Sequence, residues 1–400
     1  MDLTSPHAFW LLCNGVGDVP PPLPGDRRCD VAIVGAGITG ALVSDALTGA
    51  GFSVITVDRR HPAHGSTSAS TALLQYELDV PLNELMEKVG PQRALDSYHA
   101  AAAGVRTIGR ISAELKAPVG FCERPALYLA SRVRDADKFR RECEARSLAH
   151  LPCELLDRRA LSNIGDFNSA VALRSTLGGE VDPWRLTQAI FDRCGERDFE
   201  LYGRTTVTRI VPGKTDVEVT TKRGTIRAGH VVIAAGYESE KFLPKSVAKL
   251  HSTYAIVTEP VESLDGWEQR SLIWESSRPY IYGRTTPDNR IMVGGEDDPF
   301  RDPEHRDARV PKKAARLLAK ARRLFPRIEM EVAYAWAGTF GETIDGLPFI
   351  GPHPKRDDRI LFALAYGANG MPFSAMAGEI LTARLLGRGH PYMETFAFDR

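Results

Sequence analysis

The sequence predicts an α/β protein: a parallel-sheet nucleotide-binding unit, interrupted by other material, joined to a mostly antiparallel unit. Three observations carry this. Near the N-terminus, Asp30-Val31-Ala32-Ile33-Val34-Gly35-Ala36-Gly37-Ile38-Thr39-Gly40 runs an apolar stretch into a three-glycine turn; a small-residue helical stretch follows (41–50), and Val54-Ile55-Thr56-Val57 ends on Asp58. That is the βαβ dinucleotide fingerprint in its full context. A second apolar run ending in glycine, Val231 to Gly236, arrives only in the middle of the chain. From 250 to 295 the chain is β-rich, with candidate antiparallel strands at 254–257, 272–274, 280–284 and 290–295.

The elements follow in order. Residues 1–28 form an arm, and Pro20-Pro21-Pro22-Leu23-Pro24-Gly25 can make neither a helix nor an interior strand, so a surface strap is expected. In the fingerprint, Gly35 permits the tight turn, Gly37 lets backbone approach a pyrophosphate, and Gly40 lets the helix settle on the strands. The helix N-terminus offers unpaired N–H groups to phosphates. Asp58 stands where a carboxylate accepts both hydroxyls of an adenosine ribose and repels a 2′-phosphate, which selects FAD or NAD over NADP. A Ser/Thr/Ala/Gly loop spans 61–71.

Apolar spacing predicts helix from Pro81 to about Leu115, strands over 119–130 and a charged helix over 136–147. Asp182 and Pro183 open another helix as N-cap and first helical residue. A hairpin is expected over 200–221, and an amphipathic basic helix with a solvated face over 311–324. A strand over 332–340 follows. A last strand (360–365) runs into Tyr366-Gly367-Ala368-Asn369-Gly370-Met371-Pro372 and a small-residue helix from Ser374 to Leu386.

Composition narrows the function classes. Four hundred residues suffice for two or three domains. Lys plus Arg (51) equals Asp plus Glu (51), so neither nucleic acid nor an anionic membrane is expected as main partner. No apolar run approaches the ~20 residues of a membrane span, and no secretory signal is read at the N-terminus. Six scattered cysteines without a Cys-x-x-Cys argue against a disulfide framework, a zinc site or a redox dithiol, and lead to an expected cytoplasmic location.

A nicotinamide enzyme would keep its cofactor unit contiguous and a two-cofactor enzyme would repeat the fingerprint; this chain does neither. Three blocks resemble the superfamily of FAD-dependent D-amino-acid oxidases and glycine/sarcosine oxidases, nearer its γ-glutamylputrescine oxidoreductase-like members. They are the fingerprint with Asp58 and Gly65-Ser66-Thr67-Ser68-Ala69-Ser70; the strand 231–236; and Trp336 to Gly351 (WAGTFGETIDGLPFIG) with Gly367 to Pro372. The resemblance implies a Rossmann-like FAD-binding domain of the glutathione-reductase type, assembled from 29–80, 150–245 and 332–400. A substrate domain from 81–149 and 246–331 would roof the flavin with an antiparallel sheet. It implies FAD contacts by Gly35, Gly37, Ile38, Thr39, Gly40, Asp58, Arg59, Ser66, Thr67, Ser68, Ser70, Thr71, Val207, Ala235 and Gly236. From the last block it adds Gly346, Pro348, Gly367, Asn369, Gly370, Met371 and Pro372. Neither Cys nor His occurs between Leu361 and Ala377, so the FAD is expected to be non-covalent.

The implied reaction is oxidation of the C–N bond of an amine or amino acid, by hydride transfer to flavin N5, with O2 or another electron acceptor. The alternatives are oxidation of a 2-hydroxy acid, or a non-catalytic flavin-binding subunit. Tyr280, Tyr282 and Arg284 alternate along a strand and share one face. Either that face roofs the flavin, with Arg284 clamping a carboxylate and Tyr282 donating a hydrogen bond, or Arg284 pairs with Asp288 or Glu296 and the tyrosines pack. Gln75 and Tyr76 are candidates to line the pocket, and Tyr254 and Trp336 to wall it. Glycine and D-amino-acid oxidases carry a carboxylate-binding arginine just before the Asp-Gly-x-Pro segment, and Trp336 to Ile344 contains none. That favours an amine or polyamine-derived substrate, or a carboxylate held from elsewhere, such as by Arg284.

Overall fold

The computed structural model describes residues 2–267, 269–364, 366–367 and 369–400. Ala365, where the expected last strand would end, and Ala368, inside the motif that follows it, lie outside the described residues.

The fingerprint strand Arg27–Val34 is the centre of the first sheet. Val54–Val57 and then Phe199–Tyr202 lie on one side of it, and Thr225–Ile233 followed by Ile360–Leu364 on the other, all parallel. The late strand therefore sits directly beside the first, with Val34 opposite Ile233. Residues 31–34, 54–57, 231–233 and 360–364 are buried throughout. This is why they read as unbroken apolar runs: both faces are covered, one by helices that bring Val43, Leu47, Met376 and Ile380, the other by Leu23 of the arm, Val217 and Val219 of the antiparallel strands, and Leu243. Antiparallel strands Val207–Pro212, Val217–Thr221 and Phe349–Pro352 complete it.

The second sheet has eight strands in the order 332–343, 248–258, 291–298, 281–285, 272–275, 126–129, 171–175, 154–157. Every pairing is antiparallel except 126–129 with 272–275. The amphipathic helix Val310–Leu324 packs Leu317, Ala321 and Leu324 into the core beneath it. A small third sheet joins Leu73–Gln75, Gly178–Glu180 and Cys122–Glu123.

Strand pairing redraws the expected boundaries. Glu154–Asp157, Val171–Ser175 and Val332–Thr343, expected with the nucleotide unit, hydrogen-bond within the second sheet. The long helical segment, expected in the substrate unit, breaks at Gly90 into Leu82–Val89 and Pro91–Glu114. It shares a core with Val31, Ile33, Phe373 and Met376 of the nucleotide side. At Gly104 it comes so near the last helix that a Cβ would lie 2.2 Å from the Pro372 carbonyl oxygen. That last helix starts at Gly370, a turn earlier than expected, and runs to Leu385.

The arm is not simply a surface strap. Thr4 bridges Gly338, and the short helix Phe9–Asn14 buries Phe9 and Trp10, with Phe9 stacked 6.2 Å from Trp336.

Candidate active site

Both sheets present the C-terminal end or one face to a single cavity of about 380 Å3, within the size range of small-molecule sites. Its nucleotide end is built from the fingerprint. Gly35 adopts φ +118°, and a side chain there would meet the Ala234 carbonyl oxygen at 2.4 Å. A Cβ on Gly40 would lie 1.9 Å from the Gly35 oxygen, so the helix Ile38–Gly49 rests directly on the turn. The Ile38 N–H at the helix start donates to Thr67 Oγ1 at 3.0 Å, and Thr39 and Ser374 hydroxyls lie 2.7 Å apart, tying the two glycine-led helices together.

Asp58 accepts the Ala36 N–H at 2.8 Å through one oxygen and the Arg60 N–H at 2.7 Å through the other. Each carboxylate oxygen keeps a further lone pair for a ribose hydroxyl. Arg59 and Arg60 both pair with Glu238, at 2.9 and 3.0 Å.

The loop 65–71 is held from behind by two indoles. Trp10 Nε1 donates to the Ser70 carbonyl at 2.7 Å and Trp336 Nε1 to the Ala69 carbonyl at 2.9 Å. Trp336 is thus fully buried and props the loop instead of walling the cavity. Along this end, Ser66 Oγ and His64 Nε2 are buried without a hydrogen-bond partner among the described residues. Glycines too crowded for any side chain, a helix start and unsatisfied polar atoms are what a dinucleotide pyrophosphate fits.

Most of the expected cofactor residues line the cavity: Gly35, Gly37, Ile38, Thr39, Asp58, Arg59, Ser66, Thr67, Ser70, Thr71, Val207, Ala235, Gly236, Gly367, Asn369, Gly370 and Met371. Gly40, Ser68, Pro348 and Pro372 do not; Gly40 acts through packing and Ser68 turns its hydroxyl back to the Gly65 carbonyl at 2.9 Å. Gly346 lines a small neighbouring cavity that it shares with Asp79, Gly367 and Asn369. Asn369 fastens the start of the last helix, its Nδ2 donating to the Gln75 and Glu77 carbonyls at 3.0 and 2.6 Å.

At the other end the cavity is lined by Gln75, Asp79, Thr253, Trp274, Tyr280, Tyr282 and Asp297. Gln75 and Tyr282, both proposed from the sequence, line it. Tyr76 does not: it is fully buried and donates its hydroxyl to the Pro152 carbonyl at 2.7 Å. Tyr254 also does not. Its neighbour Thr253 faces the cavity, so the pleat turns Tyr254 to the opposite side, where it donates to Asp298 at 2.9 Å.

Arg284 shares the face of Tyr280 and Tyr282 but lies further along the strand, under the segment 180–182. Its Nη2 donates to the Val181 carbonyl at 3.1 Å, Glu180 is 3.8 Å away, and the guanidinium lies over Trp10 at 5.3 Å. Burial pulls its pKa down to about 10. It is neither a carboxylate clamp nor a partner of Asp288 or Glu296; those pair with Arg290 and with Lys313, Arg316 and Lys320. Because Glu180 keeps Arg124 at 2.9 Å, Arg284→Met should cost about 2 kcal/mol, the worth of charged hydrogen bonds lost. Denaturant unfolding should show that loss while KM is unchanged.

Asp79, Thr253 and Asp297 were missed. For Asp297 a signal existed: it is the middle of Glu296-Asp297-Asp298 at a strand end, so it faces away from its two neighbours. They meet the basic helix; Asp297 meets the cavity. Among the described residues neither Asp297 Oδ1 nor Thr253 Oγ1 completes a hydrogen bond. Burial raises the Asp297 carboxyl, opposed by the neighbouring Thr253 hydroxyl and Arg278. Burial pushes Asp79 up to about 6, with Arg278 opposing and the Asp297 and Glu342 charges reinforcing.

A family model described as FAD dependent oxidoreductase (DAO) matches residues 30–384. The chain belongs to this DAO family of FAD-dependent oxidoreductases. Over 402 residues it is 23% identical to the putative Rieske 2Fe-2S iron-sulfur protein YhfW of Bacillus subtilis (strain 168), covering 99% of this chain and 76% of that one. Over 374 residues it is 25% identical to γ-glutamylputrescine oxidoreductase of Escherichia coli (strain K12), covering 90% and 84%. Among solved structures, glycine oxidase from Geobacillus kaustophilus shares the fold, with a TM-score of 0.73 at 22% identity over 91% of this chain and 96% of that one. As a DAO-family enzyme the protein uses FAD. No described helix is long and apolar enough to cross a membrane.

Proposed function

We propose that this DAO-family enzyme oxidises the C–N bond of an amine that carries no α-carboxylate, using non-covalently held FAD. The observation that supports this most is the charge of the far end of the cavity. Asp79 and Asp297 line it, and the cavity's arginines, Arg59 and Arg60, stand at the nucleotide end against Glu238. A carboxylate substrate would meet like charge there; an amine meets complementary charge.

When bound, FAD would supply a two-electron sink for the hydride that leaves the carbon bearing nitrogen. The chain's own residues bind and orient. Gly367, Gly370 and Met371 would hold the ring's edge, and the N-terminus of the helix Gly370–Leu385 would stabilise negative charge there. Gln75, Tyr280 and Tyr282 offer hydrogen bonds that position the substrate, and Trp274 supplies an apolar wall. A cytoplasmic location belongs to the same reading, supported by six free cysteines.

One observation favours an amino-acid substrate as second reading: Arg278 lies over the Tyr280 ring at 4.3 Å and donates to the Asp79 carbonyl at 3.4 Å. Product analysis decides. An amine without a carboxylate yields an imine that hydrolyses to an aldehyde or a simple ketone, one per flavin reduced; a 2-oxo acid as sole product would overturn the amine reading.

The acid pair sets a pH dependence. Asp79 is charged above about 6 and protonated below. Its hold on a cationic substrate should therefore be present at pH 7 and fade towards pH 5. KM for an amine should rise over that interval in the wild type, and by less in Asp79→Asn.

A further inference from the structure

We propose that Asp297 and Asp79 make the site selective for an amine bearing a second positive charge, a diamine or longer polyamine. This rests on the amine reading above and narrows it. The nitrogen at the reacting carbon must give up its proton before a hydride can leave that carbon, because an ammonium withdraws the electron pair that drives the transfer. A carboxylate beside it would favour the wrong protonation state. Two carboxylates lining the cavity therefore call for a different cation: a distal ammonium on the same molecule.

The surroundings agree. Among the described residues Asp297 Oδ1 is shielded from solvent and completes no hydrogen bond; the Thr253 hydroxyl on the adjacent strand, likewise incomplete, lies beside the carboxyl. A buried carboxylate oxygen without a donor is costly, and an ammonium carries three. The Asp79 carboxylate, among the described residues, holds a long contact, 3.4 Å, from the Tyr280 hydroxyl. The facing groups are Tyr280, Tyr282, Arg278, His251 and Glu342, and Lys313 lies behind the sheet with Glu296 and Asp298. The rings of Tyr280 and Tyr282, 5.7 Å apart, with Trp274 beside them, make an aromatic wall suited to a polymethylene chain and to the cation at its end.

The test uses FAD-loaded enzyme under anaerobic conditions, with flavin reduction by 1,4-diaminobutane and by n-butylamine followed at 450 nm. In the wild type the second-order rate constant for flavin reduction should favour the diamine at least about tenfold, the worth of one charged hydrogen bond, and mainly through the apparent Kd. The ratio should fall towards one in Asp297→Asn and recover in Asp297→Glu. The wild-type series from three to six methylenes needs no variant and should peak at one length. A ratio near one in the wild type, with both amines active, would overturn this inference and leave the amine reading standing; so would an undiminished ratio in Asp297→Asn. No reduction by either amine would overturn both.

Discussion

Replacing Gly40 by alanine is expected to give a protein that does not hold FAD. The added Cβ would lie 1.9 Å from the Gly35 oxygen, and Gly35 cannot yield. Its φ is +118°, its N–H donates to the Val57 carbonyl at 2.8 Å, and the Ala234 backbone closes its other side. Relief requires the helix Ile38–Gly49 to lift from the strand Arg27–Val34. Overpacking of this kind costs about 1–3 kcal/mol or more, and it falls on the element whose N-terminus would face the pyrophosphate. Each 1.4 kcal/mol lost from binding is about tenfold in Kd. The ratio of absorbance at 450 to 280 nm after gel filtration reads the outcome. A yellow Gly40→Ala protein with wild-type Tm would refute the assigned role of this turn.

Replacing Arg146 by methionine should do the greatest damage to stability. Arg146 is fully buried and meets two buried carboxylates, Glu142 at 2.6 Å and Glu77 at 3.4 Å. Its guanidinium also lies 5.7 Å from the ring centres of Tyr76 and Tyr98. Glu142 in turn accepts the Leu82 and Asn83 N–H groups at 2.8 and 3.0 Å and so starts the helix Leu82–Val89. Removing one partner of a buried pair costs about 3–5 kcal/mol, because the other charge is left uncompensated. The consequence reaches the cavity, since Gln75, Glu77 and Asp79 belong to one segment and the Glu77 carbonyl anchors Asn369. Arg146→Met should be recovered in low soluble yield with a lowered Tm. Adding Glu77→Gln should restore part of it; no partial rescue would show that the ion pair is not the cause.

The nucleotide half was legible because its constraints are local. A glycine triplet needs only the turn beside it, and strands buried on both faces announce themselves as apolar runs. The far half was legible in parity but not in extent. Alternation placed Tyr280, Tyr282 and Arg284 on one face; nothing in it says that residues 180–182 cover the strand by position 284. Parity, applied to Thr253 and Asp297, would have exchanged Tyr254 for its neighbour and found the acid. The network of Glu77, Glu142 and Arg146 joins segments about 70 residues apart, and Phe9 and Trp10 reach Trp336 and Ser70 from the far end of the chain. Such long-range pairings leave no periodicity to read. The misplaced boundary at 332 has the same origin: one long strand carries the family motif and still hydrogen-bonds in the second sheet.

On the reading proposed above, the enzyme takes hydride from a carbon bearing an amine. The most direct measurement is the visible spectrum of the FAD-loaded protein under argon, while amines, α-amino acids and 2-hydroxy acids are added in turn. Bleaching by amines lacking a carboxylate, with the other two classes leaving the flavin oxidised, is the predicted result. Bleaching by a 2-hydroxy acid or an α-amino acid while every amine leaves the spectrum unchanged would contradict it.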